Sequence, residues 1–539
     1  MRVLWCLAAG LALVEGKPAG TAELHPIAGL AARGIRSTRL DDIFLGASDE
    51  DVCHCALACE TLAATFGGEQ VSSFGQEAYG ARLERFWSAQ QAQETKPGCF
   101  FHPFDAEDVS VVVLLSRATQ CPFAVKGGGH AAFRGASNSE GGITIDFVHM
   151  VDVIPSADRK TVAIGPGNTW HNVYSTLENY NITMVGGRVA SVGVGGLLLG
   201  GGISFFSGQY GWACDNIVSY EIVVASGEIL HVNSTTNPDL FWALRGGGGN
   251  FGIVTQFVAN TFEQGPMWGG FIARDMHSTK PAIIDAMIGY AEKGGLEDPK
   301  SALIVSFNYI QPYQSWMLAT ILDHAEPQAP GSHPEVFNDF FIENALDDTT
   351  RTTSHANLTM EIDLMSPFGQ RQSYWMFSTY VDKQLASDLI DIQQEEISEI
   401  ANVLGLVSSL NYQIINVPQL RQMKRNGGNA LGIGGGKKPL LVSNLSFSWA
   451  LKSDDKAVLT AIHNIVARAE SLSRERGLFH PFLYMNYASQ WQDPIAGYGA
   501  ENKARLLEIS KKYDPEGVFQ KLHPGYFKLS GAPSEWNYE

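Results

Sequence analysis

Residues 188–215 read "RVASVGVGGLLLGGGISFFSGQYGWACD", and the solvent this stretch faces decides the fold. Between Arg188 and Asp215 lie 26 residues without a charge, long enough to cross a bilayer as a helix. Eight of the 26 are glycine, and each glycine inside a helix costs about 1 kcal/mol relative to alanine. A strong lone membrane span is not built that way. The composition fits instead a buried, tightly turning backbone that has given up side chains so that something large and flat can lie against it. That reading requires a ligand, and the rest of the chain must supply the evidence for one.

At 539 residues the chain exceeds one ordinary core, which predicts two domains or a domain with a large insertion. Hydrophobic residues make up 45% and charged ones 17%, the balance of a folded globular protein. A formal net charge of -18 repels phosphate backbones and anionic lipid, so neither nucleic acid nor a membrane surface is expected as a partner. Residues 1–20, "MRVLWCLAAGLALVEGKPAG", have the early Arg, apolar run and small residues of a secretory signal peptide. Its removal takes Cys6 and leaves Cys53, Cys55, Cys59, Cys99, Cys121 and Cys214, an even count that suits an oxidising compartment. N-x-S/T triplets at Asn181, Asn233, Asn357 and Asn444 are compatible with the secretory route, and adding little to it.

Residues 21–94 read as an N-terminal cysteine-bearing segment, with "DVCHCALACETLAATFG" as a short helix. Across 95–265 short strands such as "FAVKGG", "GITIDFVHM" and "TVAIGPG" each run into glycine, and "AEDVSVVVLLSRATQ" is a helix opened by Asp105. "SYEIVVASGEILHV" reads as a hairpin turning at Ser226 and Gly227. From 266 to 478 the glycine clusters thin, and helical patterns such as "DKQLASDLIDIQQEEISEIANVLG" alternate with strands such as "PLLVSNLSFSWAL". The fold class is therefore α+β, with a second α+β domain that covers the first, and an aromatic tail, 479–539, that returns to the first domain.

Four glycine clusters, at 126–130, 165–170, 186–202 and 245–255, are separated by strands. Glycine permits positive φ and leaves amide N–H groups unshielded, so such turns can cradle a pyrophosphate. None fits the P-loop or the dinucleotide-binding G-x-G-x-x-G pattern. Four together point to a long ligand threaded across several turns.

"CPFAVKGGGHAAFRGASNSEGGITIDFVHM", "GPGNTWHNVYSTLE", "VGVGGLLLGGGISFFSGQYGWACDNIVSYEIVVASGEI" and "NPDLFWALRGGGGNFGIVT" resemble the PCMH-type FAD-binding domain of the vanillyl-alcohol oxidase superfamily. Within it the chain is most similar to the berberine-bridge-enzyme-like FAD-linked oxidoreductases, especially those of fungal secondary metabolism. The likeness runs from about Cys59 to Phe527 and extends to the tail "FLYMNYASQWQDPIAGYGAENKARLLEISKKYDPEGVFQ". It implies an FAD domain followed by a substrate domain whose antiparallel sheet is covered by helices. By the same resemblance Lys126, Gly127, Gly128 and Gly129 hold the pyrophosphate, and His130 bonds the flavin 8α-methyl. Gly193, Gly195, Gly196, Gly200, Gly201 and Gly202 pass along ring and phosphates. Asp215 and Asn216, with Gly252, Ile253 and Val254, close round the ribityl and adenine parts, Asp215 being about as well explained as a turn cap. Asn486 and Tyr487 match a pair near the flavin, and Tyr484 shares a face with Asn486 if the segment is extended.

The resemblance also implies a Cys59–Cys99 disulfide, with Cys53 and Cys55 as competitors for Cys99. It implies one covalent flavin bond rather than two, because the position of the second attachment is Val189, which has no nucleophile. Some relatives carry a tyrosine where Ala132 stands, and the glutamate base of others has no clear counterpart, so Tyr484, Arg371 and Tyr374 are the catalytic candidates. No metal is expected. The resemblance implies a secreted oxidase of secondary-metabolite biosynthesis that passes a hydride from a small molecule to FAD, with O2 as acceptor. An oxidative cyclase and a carbohydrate oxidase are the alternatives, and a cofactor-free binding protein is the reading from another class.

Overall fold

In the computed structural model, described here for residues 25–36, 40 and 54–538, three sheets carry the chain. The expected signal peptide and Cys53 lie outside the described residues. No helix among those described is long and apolar enough to cross a membrane. Residues 194–200 of the uncharged stretch do form a helix, but one of seven residues that ends at Gly201, where φ is +125°.

The first sheet holds β1 (Val71–Ser73), β2 (Cys99–Phe101), β3 (Phe123–Lys126) and β4 (Ile143–Asp146) in the order β1-β2-β4-β3. Strands β2 and β3 both run parallel to β4, and the Ala106–Thr119 helix makes the crossover. Asp105 caps that helix by accepting from the Asp108 N–H, which supplies a partner for one of its free N-terminal amides. Its middle, Val109–Leu115, is apolar but for Ser110, and the helix is buried along most of its length. Cys59 on the His54–Gln70 helix is bonded to Cys99 at the start of β2, and Cys55 to Cys121 just before β3. The second bond removes Cys55 from the competition for Cys99.

The second sheet is antiparallel, β5 (Val153–Pro155), β6 (Thr161–Ile164), β10 (Ile253–Glu263), β8 (Ile217–Val223) and β9 (Ile229–Asn233), with β7 (Ile182–Met184) also on β10. The β8–β9 hairpin closes where Gly227 donates its N–H to the Val224 carbonyl at 2.9 Å, with φ +80°.

The third sheet has nine antiparallel strands, β11 (Met267–Asp275), β12 (Ser301–Ile310), β13 (Ser315–His324), β14 (Ala345–Asp348), β15 (Arg351–Thr353), β16 (Arg371–Tyr380), β17 (Val407–Ile415), β18 (Leu440–Trp449) and β19 (Phe479–His480). Alternation along these strands gives the sheet two unlike faces. Val305, Phe307, Leu410, Leu445 and Phe447 point to one side and pack with residues of the helices Met276–Gly289, Lys383–Ser398 and Asp455–Glu475. Register places Ser306, Asn411, Asn444 and Met376 side by side on the other face, and Met376 and Val442 there join the core of the glycine-rich part. The tail then returns to the first sheet, where the Phe123 N–H donates to the Leu522 carbonyl at 2.7 Å.

Two sequence expectations change at this level. Tyr484 and Asn486 are not neighbours on an extended segment: Met485–Tyr487 is a turn of 3₁₀ helix, and it curls the Asn486 amide back to the Tyr484 hydroxyl at 2.9 Å. The triplet at Asn444 lies in a central strand with Asn444 only 5% exposed, which excludes a glycan on the folded chain. Asn181 and Asn357 are exposed, and Asn233 is half-buried.

Candidate active site

Two glycine loops cross backbone on backbone at the centre of the molecule. A Cβ on Gly128 would fall 2.5 Å from the Gly193 nitrogen, and one on Gly193 would fall 2.3 Å from the Gly128 nitrogen. Only glycine at both positions permits the crossing. The third cluster joins them, since the Val194 N–H donates to the Asn168 carbonyl at 2.9 Å and Thr169 bridges to Gly193. Above the crossing opens a cavity of ≈ 280 Å³. Gly127, Gly128 and Gly129 line it on one side, Gly193, Gly195 and Gly196 on another, and Gly252, Ile253 and Val254 at the far end. A Cβ at Gly196 would meet nothing within 4 Å, so bare backbone is its floor.

His130 ends the first loop in the cavity wall. Its ring stacks on Trp87, with centroids 4.3 Å apart and planes 13° from parallel, and Phe368 meets it edge-on. Nε2 is buried without a hydrogen-bond partner. Burial holds the imidazole down to about 4, so at neutral pH it is uncharged. A neutral imidazole in a cavity wall is available as a nucleophile or a ligand.

Opposite stand the tail tyrosines and the third sheet. The Tyr484 hydroxyl accepts from the Gly202 N–H and from Asn486 Nδ2, each at 2.9 Å, and burial pushes its phenol well up. The Tyr487 oxygen accepts from Arg188 Nη2 at 2.7 Å and from Gln413 Nε2 at 3.1 Å. Tyr374, on β16, lies between Trp87 and Tyr487, with ring centroids 5.3 and 6.3 Å away, and burial pushes it up to about 12.

Several expected site residues are elsewhere. Lys126 points away from the cavity into a buried ion pair, Nζ to Asp146 Oδ2 at 3.1 Å, which Arg82 Nε also reaches at 3.1 Å. With its charge already paired under the loop, it is not placed to touch a pyrophosphate. Arg371 is clamped by Glu94 and Asp455 at the outer end of β16, outside the cavity wall. Asp215 accepts from the Trp212 N–H at 3.0 Å and from Asn429 Nδ2 at 2.7 Å, the turn-cap role. Asn216 donates to the Tyr210 and Trp212 carbonyls. Neither lines the cavity. Gly200, Gly201 and Gly202 are also behind the wall: a Cβ at Gly200 would lie 2.0 Å from Asn486 Oδ1, so this glycine makes room for the tail. Ala132 and Val189 do stand in the wall.

Sequence reasoning passed over Arg188, Gln413, Trp87, Phe368, His523 and Tyr526. Arg188 was legible as the one charge before the long uncharged run. The others come from strands and loops remote in sequence, and no local pattern marks them.

The profile of the FAD binding domain matches residues 97–233. The FAD-dependent monooxygenase tpcD of Cochliobolus heterostrophus is 37% identical over 502 residues, covering 90% of this chain and 95% of its own. Among solved structures, berberine bridge enzyme from Eschscholzia californica superposes with a TM-score of 0.69 at 17% identity, over 90% of this chain and 100% of its own. Glucooligosaccharide oxidase from Acremonium strictum, described with a 6-S-cysteinyl, 8α-N1-histidyl FAD, gives 0.68 at 20% identity, over 89% and 100%.

Proposed function

The chain belongs to the berberine-bridge-enzyme-like FAD-linked oxidoreductases, alongside fungal FAD-dependent monooxygenases, and from that premise we propose that it oxidises a small secondary metabolite with FAD held covalently through His130 and O2 as electron acceptor. The observation that carries the proposal is the neutral His130 ring, with a buried nitrogen lacking a partner, at the end of a glycine loop that opens on the cavity. Bound FAD would supply a hydride acceptor for a substrate carbon and a two-electron route to O2. Gly127 to Gly129, Gly193, Gly195 and Gly196 bring bare backbone to the cofactor's length, and Trp87 fixes the His130 ring by stacking.

The residues opposite divide the proton chemistry. Arg188 and Gln413 place two donors, one of them charged, on the Tyr487 oxygen, so this oxygen is the one furnished to hold negative charge and take a substrate O–H proton. Tyr484, fully enclosed and held by two neutral donors, is kept un-ionised by burial and positions Asn486 and the Gly202 turn. Residues 95–265 serve the cofactor in this reading and 266–478 the substrate. Two disulfides and exposed triplets at Asn181 and Asn357 support passage through the secretory route.

The test is anaerobic mixing of the purified yellow protein with phenols, alcohols and sugars while the flavin bands are watched. Bleaching by some compound, followed by one H2O2 per O2 on aeration, is expected. A colourless protein refutes the reading. The monooxygenase names of the relatives favour a second outcome, transfer of one oxygen atom to product. Incorporation of label from ¹⁸O2 separates it from simple oxidation.

A further inference from the structure

Arg188 carries more donors than its neighbours use. A guanidinium offers five N–H groups, and only Nη2 has partners among the described residues, Gln413 Oε1 and the Tyr487 oxygen, both at 2.7 Å. Nε and Nη1 are left over on a half-buried side chain in the cavity wall. Among the described residues no carboxylate stands within ion-pair distance of Arg188. Asp323 is the acid that feels its charge, but Asp323 is fully enclosed with Glu361 near it, and burial pushes its carboxyl well above the ordinary range. Asp363 is engaged with the Ser191 amide and hydroxyl.

A cation in a semi-enclosed site without a counter-ion leaves its charge for a ligand. The walls around it state the rest of that ligand's shape. Tyr374 and Tyr487 present rings nearly perpendicular, at 84°, which suits a flat molecule laid against one of them. The register of the third sheet brings Ser306, Asn411, Gln413, Asn444 and Ser446 to the face that carries Tyr374, behind the cavity lining rather than in it.

We propose that Arg188 docks an oxyanion of the substrate, and that the substrate class is a planar acid, meaning a phenol, an enol or an aromatic carboxylic acid. The inference deepens the proposed function and rests on it for the identity of the site. A substrate that arrives as an oxyanion sets its negative oxygen beside the guanidinium, with no charge stranded. A neutral sugar hydroxyl makes no such use of Arg188.

The experiment is calorimetric titration of the flavin-loaded enzyme with benzoate and with benzamide, its neutral isostere, near pH 7. Benzoate is expected to bind at least tenfold more tightly than benzamide and to perturb the flavin spectrum. Arg188→Gln should abolish the preference by weakening benzoate, while Arg188→Lys keeps part of it. Equal binding of the two ligands by the wild type overturns the proposal, and this arm needs no variant to fold. A preference that survives Arg188→Gln overturns it as well. Failure of the proposed function reads differently: the protein then lacks flavin bands whatever benzoate does.

Discussion

Replacing Asp146 by Asn keeps the shape of the side chain and removes the charge that Lys126 Nζ and Arg82 Nε share at 3.1 Å. Lys126 and Asp146 are each only 2% exposed, so the substitution strands a buried ammonium beside a neutral amide. Breaking a buried pair in this way costs about 3–5 kcal/mol. Arg82, whose side chain is 24% exposed, can turn to water, which places the cost near the lower end, ~3–4 kcal/mol. A unit of roughly 200 residues unfolds with about 0.4 kcal/mol/K of entropy, so Tm should fall by about 7–10 °C in a thermal melt. Lys126→Met, which leaves Asp146 its Arg82 partner, should cost less.

The deficit of Asp146→Asn has a definite pH dependence. Burial already holds Lys126 below the ordinary lysine value, with Asp146 opposing the shift. Without that carboxylate the folded-state value falls further, so the folded protein binds fewer protons than the unfolded chain. Stability of the variant therefore rises with pH between that lowered value and the ordinary lysine range. The gap to wild type should be widest near neutrality and narrow toward pH 10. Covalent flavin should persist, since Lys126 does not reach the cavity. A Tm within 2 °C of wild type together with loss of flavin would refute the reasoning and return Lys126 to the cofactor.

The wild-type protein should stay yellow after acid precipitation with a mass raised by one FAD, and His130→Ala should release its flavin under the same treatment; flavin kept by the variant would overturn the attachment site. Tyr487→Phe should slow anaerobic flavin reduction by about 100-fold or more, the usual cost of a lost general base, whereas Tyr484→Phe should slow it less; the reverse order would restore Tyr484 as proton acceptor. Non-reducing peptide mapping should find Cys59–Cys99 and Cys55–Cys121, with Cys214, which is fully buried, alkylated only after denaturation; a Cys214 thiol that reacts in the native protein contradicts the packing. In a secreting host, glycan mapping should find Asn444 bare, and a glycan there would mean that β18 is not a central strand.

The glycine clusters, the uncharged run and the alternation of the strands are local properties of the chain, and they sufficed for an α+β fold with a long ligand across its glycine turns, while the family resemblance named that ligand as FAD. Glycine where backbone must approach backbone leaves a mark in sequence that no other residue leaves, so Gly128, Gly193 and the cavity they floor were legible. His130 was singled out only by the family resemblance, since a lone histidine after glycines carries no local mark of its own. Charges and aromatics carry no such mark, because their role depends on which partner arrives from elsewhere. Lys126 beside "GGG" was expected on a phosphate, and the parallel pairing of β3 with β4 gave it Asp146 instead. Arg371 was expected to be catalytic, and the Asp455–Glu475 helix and Glu94 gave it two carboxylates. Tyr484 and Tyr487 differ little in the sequence "YMNY", three residues apart. The 3₁₀ turn between them aims one hydroxyl at the Gly202 amide and the other at Arg188, about 300 residues upstream, and only the folded chain could decide which of the two meets the cation.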